Sequence, residues 1–141
     1  MNLKILSIQS HVVYGYVGNK AIQFPLQLLG FEVDCLNTVE YSNHTQYPVC
    51  KGTSFSSSLI NQIYSGLVEN SLISEYSHIL TGYCGDSEAL KSVMQLVKDC
   101  KTSNPKTLIL IDPVLGDNGK MYVPAANLET YKEYLRYYKI I

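Results

Sequence analysis

The chain has 141 residues, 46% of them hydrophobic and 16% charged, with a net charge of −1 and a pI near 6.3. One globular domain fits that length, with a core able to bury about 68–70% of its unfolded surface. The balanced charge, with no Lys/Arg stripe, argues against nucleic acid and anionic lipid as partners, and the apolar runs are too short to span a membrane.

Residues 3–9 read as a buried strand. Residues 19–29 then read as a helix, with Ile22, Leu26 and Leu29 on one face and Gly30 suited to a left-handed cap. Pro25 predicts a kink or irregular turn within it. Residues 31–39 form a second strand, followed by a polar, aromatic loop over 41–52. Residues 57–68 form a second helix with Leu59, Ile63 and Leu67 in line and serines available to cap it. Residues 78–83 are a third strand. The helix over 87–101 has the cleanest pattern: Asp86 can cap it, and Leu90, Val93, Met94 and Val97 fall at helical spacing. Residues 107–111 are a fourth strand ending at Asp112-Pro113. Residues 125–138 are a fourth helix, with Leu128, Tyr131, Leu135 and Tyr138 on one face.

The order βαβαβαβα predicts an α/β fold: a mostly parallel sheet with helices on both faces and right-handed crossovers. Ile140-Ile141 resemble the first residues of a further strand. The expectation is that residues 1–141 are the N-terminal part of a single larger domain, C-terminally truncated, with no separate second domain. The opening segment MNLKILSIQSH turns polar too early for a secretory signal. The four cysteines, Cys35, Cys50, Cys84 and Cys100, show no C-x-x-C spacing. They are expected to be reduced thiols of a cytoplasmic protein, with access to the nucleus, rather than a disulfide frame or zinc site. Asn43-His44-Thr45 matches a glycosylation sequon, a pattern common by chance and discounted here.

Ligands of open α/β sheets bind beyond the carboxyl ends of the strands. The first strand ends in Gln9, Ser10 and His11, followed by Gly15-Tyr16-Val17-Gly18. The second delivers Glu40, Tyr41, Ser42, Asn43, His44 and Thr45; the third Thr81, Gly82 and Tyr83; the fourth Asp112 and Asp117. The opposite edge receives plain turn residues. This asymmetry predicts a small-molecule cleft. The glycines match neither a dinucleotide fingerprint nor a P-loop, but they permit close backbone approach.

Asp112 precedes a proline, which favours extended backbone and projects its carboxylate past the strand. With Asp117 it suits a Mg²⁺–nucleotide site; equally, Asp112 could cap local amides and Asp117 sit in a solvated turn. Tyr83 could stack on a planar ligand or serve as a rim aromatic. His11 and His44 could be acid–base groups or positioning groups, while His78 reads as structural. Ser10 lacks the G-x-S-x-G context of a hydrolase nucleophile. Cys84, next to Tyr83, is expected near the pocket mouth and open to alkylation.

Three segments carry a family resemblance: LSIQSHVVYGYVGNKAIQFPLQLLGFEVDCLNTVEYSNHTQY, LTGYCGD and LIDPVLGDNGKMYVP. In order and spacing they resemble the N-terminal half of pyridoxal kinases, members of the ribokinase-like superfamily. The resemblance implies ATP-dependent phosphorylation of the 5′-hydroxymethyl group of pyridoxal, pyridoxine or pyridoxamine. It implies that Ser10 and Thr45 hydrogen-bond the pyridine ring, Tyr83 packs on it and Tyr41 lines the pocket. Asp112 would lie by the ATP phosphates and a monovalent cation, K⁺ or Na⁺. Asp117, with Asp112, would hold Mg²⁺, directly or through water. A homodimer is implied for whole family members, leaving the state of this chain open.

The family's Gly-Thr-Gly-Asp segment, which carries the base, does not occur in these 141 residues, nor does its Thr-Pro-Asn segment. The chain alone is therefore expected to lack useful kinase activity. The alternative is a non-catalytic vitamin B6-binding or regulatory homologue. A nucleotide-dependent oxidoreductase is disfavoured, because no G-x-G-x-x-G follows the first strand.

Overall fold

Strand β1 (Lys4–Val12) is the centre of the molecule, and its apolar residues Ile5, Leu6, Ile8 and Val12 are all buried. It runs three residues further than the apolar run suggests, because the polar residues Ser10 and His11 remain paired with the neighbouring strand. The computed structural model describes residues 3–136 and Tyr138. Ile140-Ile141, read as the start of a further strand, lie outside the described residues.

The elements that follow are α1 (Gly18–Leu28), β2 (Glu32–Tyr41), β3 (Gly52–Ser54), α2 (Ser57–Glu69), a 3₁₀ turn (Leu72–Glu75) and β4 (His78–Thr81). Then come α3 (Ser87–Ser103), β5 (Leu108–Ile111), a hairpin of β6 (Gly116–Asp117) and β7 (Lys120–Met121), and α4 (Ala125–Leu135). The main sheet has the order β3-β2-β1-β4-β5. All its neighbours are parallel except β3, which pairs antiparallel with β2. The chain steps outward from β1 to β2 through α1, then returns across β1 to β4 and β5 through α2 and α3. With right-handed crossovers, that reversal puts α1 on one face and α2 and α3 on the other.

Local chemistry explains the helix ends. Asp86 accepts a hydrogen bond from the Ala89 N–H at 2.7 Å, and Ser56 accepts one from Leu59 N–H at 3.2 Å. Gly30, at φ +89°, closes α1: its N–H reaches the Gln27 carbonyl, and the Phe31 N–H reaches that of Leu26. No irregular turn interrupts α1 at Pro25, which lies inside one continuous helix.

The core forms where β1, β2 and β4 meet α3. Leu6, Ile8, Leu36 and Ile79 pack with Leu90, Val93, Met94 and Val97, the same four α3 residues that the spacing picks out. The expected faces of two other helices need correction. In α2 the fully buried residue is Ile60, while Leu59 and Ile63 are exposed, because α2 turns toward α3, where the Tyr64 hydroxyl donates to Asp99 at 2.6 Å. In α1, Leu29 is 72% exposed, since it caps the helix rather than facing the sheet. On β5, Leu108 and Leu110 are about half exposed, whereas Ile109 and Ile111 pack on the core. No helix among the described residues is long and apolar enough to cross a membrane.

Candidate active-site cleft

A cleft of about 630 Å³ opens at the carboxyl ends of β1, β2, β4 and β5. Ser10, Tyr41, Thr45, Tyr83, Asp112 and Asp117 all line it. Six residues spread over more than a hundred positions of sequence therefore share one concave surface.

Each wall has a local cause. Ser10 is buried at an irregularity in the β1–β2 ladder: Gln9 pairs with Asn37 and His11 with Glu40, so Thr38 and Val39 of β2 stand opposite Ser10 alone. The buried Thr38 donates its hydroxyl to the Tyr83 carbonyl at 2.6 Å, which ties that irregularity to the end of β4. Tyr41 is held by its hydroxyl, 2.8 Å from that of Ser54 on β3. The segment read from sequence as a loop leads into a short edge strand, β3, that braces this cleft residue.

Thr45 sits at the tip of that segment, which is knitted by its own polar groups. The Asn43 amide donates to the carbonyls of His44 and Val49 at 3.1 and 3.0 Å, and the Ser42 hydroxyl accepts from the Lys51 N–H. Asn43 therefore has a structural task within its sequon. His44 also lines the cleft and stacks, tilted, on Tyr47 at 4.6 Å. His11 pairs with Glu40 and does not line the cleft, while His78 packs edge-on against Phe31 at the far end of the sheet.

The acids enter the cleft from the β5 side. Asp112 follows β5, and its N–H is held by the Thr81 carbonyl at 3.1 Å. Asp117 is placed by the β6–β7 hairpin, whose turn residues Asn118 and Gly119 have φ of +51° and +74°. Asn-Gly is a strong signal for such a turn, so Asn118-Gly119 is the mark by which the hairpin can be found in the sequence. The same hairpin supplies Tyr122, a cleft residue missed from sequence, whose ring lies 6.3 Å from that of Tyr83. Burial first, then the nearby Asp117 and Asp112 carboxylates, raise the Tyr122 phenol above its usual range. Burial also raises that of Tyr83, with smaller contributions from neighbours that include Tyr41. Both rings stay neutral donors near pH 7.

Cys84 does not lie at the mouth. It is 2% exposed, and burial pushes its thiol up to about 11. Cys50 is the more accessible thiol on this side, half-buried with its S–H directed to the Asn43 carbonyl. Among the described residues no three His, Cys, Asp or Glu side chains form a metal cage. Asp112 and Asp117 offer the hard oxygen donors that Mg²⁺ takes.

Comparison with known proteins, by sequence and by structure, finds relatives of one kind. The chain is 48% identical over 132 residues to a pyridoxal kinase of Dictyostelium discoideum, covering 94% of this chain and 44% of the relative. It is 47% identical over 134 residues to the human pyridoxal kinase, covering 92% of this chain and 43% of that one. The chain is homologous to pyridoxal kinases. A pyridoxal kinase from Leishmania donovani, solved with ADP and pyridoxamine, superposes with a TM-score of 0.89 at 42% identity over 94% of this chain and 48% of that one. A pyridoxal kinase from Trypanosoma brucei superposes with a TM-score of 0.84 at 37% identity. No family model matches. The ribokinase-like α/β sheet expected from sequence is thus the pyridoxal kinase fold over the part compared. The chain spans less than half the length of the curated pyridoxal kinases it matches.

Proposed function

We propose that this chain carries the vitamin B6-binding half of a pyridoxal kinase active site. The observation that carries the reading is the convergence of Ser10, Thr45, Tyr41, Tyr83, Asp112 and Asp117 on one cleft. Hydroxyls at Ser10 and Thr45 supply donors and acceptors for the polar edge of a pyridine, and the Tyr83 ring supplies an apolar face. The L. donovani structure with ADP and pyridoxamine is a relative holding both ligand classes.

Asp112 and Asp117 would face the phosphates of ATP. A Mg²⁺ bound with the nucleotide would shield phosphate charge, and these two carboxylates would hold it, directly or through water. A K⁺ or Na⁺ beside Asp112 belongs to the same proposal. The residues here bind and orient the substrate hydroxyl; the base that takes its proton is assigned to the Gly-Thr-Gly-Asp segment, which these 141 residues do not contain. We therefore propose that this chain alone binds vitamer but does not turn over.

Separate titrations of the 141-residue chain with pyridoxine and with Mg·ATP test this. Pyridoxine avoids the lysine-reactive aldehyde of pyridoxal. Saturable pyridoxine binding that Ser10→Ala and Thr45→Ala weaken supports the assignment; no binding to folded protein overturns it. A second reading, a non-catalytic B6-binding or regulatory chain that associates with another polypeptide, is favoured by the half-exposed Leu108 and Leu110 on β5. Co-purification with a full-length kinase subunit distinguishes it.

A further inference from the structure

Four residues bracket the irregularity around Ser10: Gln9 and His11 on β1, Asn37 and Glu40 on β2. All four belong to one hydrogen-bonded chain of groups. Asn19, 1% exposed on the first turn of α1, donates its amide to the carbonyls of Gln9 at 3.3 Å and Leu36 at 3.2 Å, and to the Asn37 side-chain oxygen at 2.8 Å. Asn37 in turn donates to the Glu40 carboxylate at 3.0 Å. The other oxygen of Glu40 pairs with His11 Nδ1.

The path therefore starts at the backbone just before Ser10, crosses to α1 and β2, and returns to the side chain just after it. A bulge disrupts ladder hydrogen bonds and leaves the strand free to twist locally. Beside the bulge, Asn19 adds a side-chain donor to two backbone carbonyls, those of Gln9 and Leu36. Ordinary packing does not require this arrangement. An apolar helix residue would fill the same space without the cost of burying an amide; here the Asn19 side-chain nitrogen serves all three acceptors, while its buried oxygen has no partner among the described residues.

We infer that Asn19, Asn37, Glu40 and His11 form a clamp that positions Ser10, holding its hydroxyl toward the cleft before any ligand arrives. Asn19 and Asn37 are positioning residues; neither lines the cleft. This rests on the reading of Ser10 as a vitamer contact, and it adds a reason why a strand end rich in polar residues is rigid enough to recognise one ring orientation.

Asn37 is the position to alter, because it is only half-buried and Asn37→Ala leaves Asn19 bonded to two carbonyls; Glu40→Ala is the second variant. In the unliganded chain, both should raise backbone hydrogen exchange over residues 9–12 by roughly threefold or more, while exchange in α3 stays unchanged. Unchanged exchange over 9–12 in both variants overturns the clamp. With pyridoxine, Asn37→Ala should weaken binding about 2- to 13-fold, the span of one hydrogen bond. The Ser10→Ala/Asn37→Ala double variant should then bind no worse than Ser10→Ala, because the clamp acts through Ser10. Losses that multiply overturn the proposal, since a structural lesion acting elsewhere would add independently. If the unaltered chain fails to bind pyridoxine, the vitamer reading of the cleft fails, and hydrogen exchange alone decides the clamp.

Discussion

Gly18 lies directly against Ser10: a Cβ on Gly18 would overlap both the carbonyl and the hydroxyl of Ser10. Gly18 also has φ of +54°, where a side chain is strained even in open space. The first residue of α1 and the end of β1 thus share a contact that only glycine allows. This gives Gly18, the second glycine after the first strand, its physical purpose.

Gly18→Ala should accordingly do two things. It should destabilise the chain by about 1–3 kcal/mol through backbone strain, read by urea denaturation. It should also weaken pyridoxine binding about tenfold or more, because the displaced Ser10 hydroxyl is worth on the order of one hydrogen bond plus the strain of restoring it. Calorimetric titration of the folded variant measures this; unaltered affinity refutes it.

Ser10→Ala and Thr45→Ala should each weaken pyridoxine binding about 2- to 13-fold. Thermal stability should fall little in Thr45→Ala, since Thr45 is exposed. Tyr83→Ala should weaken binding by a comparable or larger factor through lost ring contact. Titration calorimetry and melting curves on the same samples separate affinity from folding.

The 141-residue chain by itself should show no turnover near the roughly 1–100 s⁻¹ of ordinary kinases. The measurement is a coupled ADP assay on monodisperse protein with saturating pyridoxal and Mg·ATP. Turnover in that range would show that the base and phosphate contacts lie within these residues.

At pH 8, iodoacetamide should label Cys35 and Cys50 while sparing Cys84 and Cys100, as read by peptide mass spectrometry. The latter two are buried, and burial pushes their thiols up to about 11 and about 12. Their folded values lie above the ordinary thiol value of 9.0. The stability this contributes is complete below pH 9 and is lost as pH rises through 11 to 12. Melting temperature should therefore fall above pH 9, and less steeply in Cys84→Ala.

Asp86→Ala should cost about 0.5–2 kcal/mol, the usual worth of an N-cap, because α3 carries the core and Asp86 holds its Ala89 N–H. Urea denaturation checks the value, and a loss near zero would show that the first turn of α3 is satisfied in another way.

Much of this was legible in the linear chain because its causes are local. Leu90, Val93, Met94 and Val97 recur at the helical period, so α3 and its buried face follow from spacing. Gly30 ends α1 because a left-handed residue is needed there. The strand ends named the cleft residues because, in a parallel sheet, all carboxyl ends share one edge. Chain order and alternation were enough to bring Ser10, Thr45, Tyr83 and Asp112 to the same side.

Other features depended on which surface each element met. Leu59 and Ile63 are as apolar as Ile60, but only the packing of α2 against α3 selects Ile60 for burial. Cys84 adjoins a cleft residue in sequence, yet in the loop after β4 its side chain packs into the core. The return of β3 onto β2, the placement of Tyr122 beside Tyr83, and the path from Asn19 to His11 all join residues far apart along the chain. Periodicity reports which way a side chain faces within its own helix or strand; what stands opposite is set by the register and packing of the other elements, and exists only once the chain has folded.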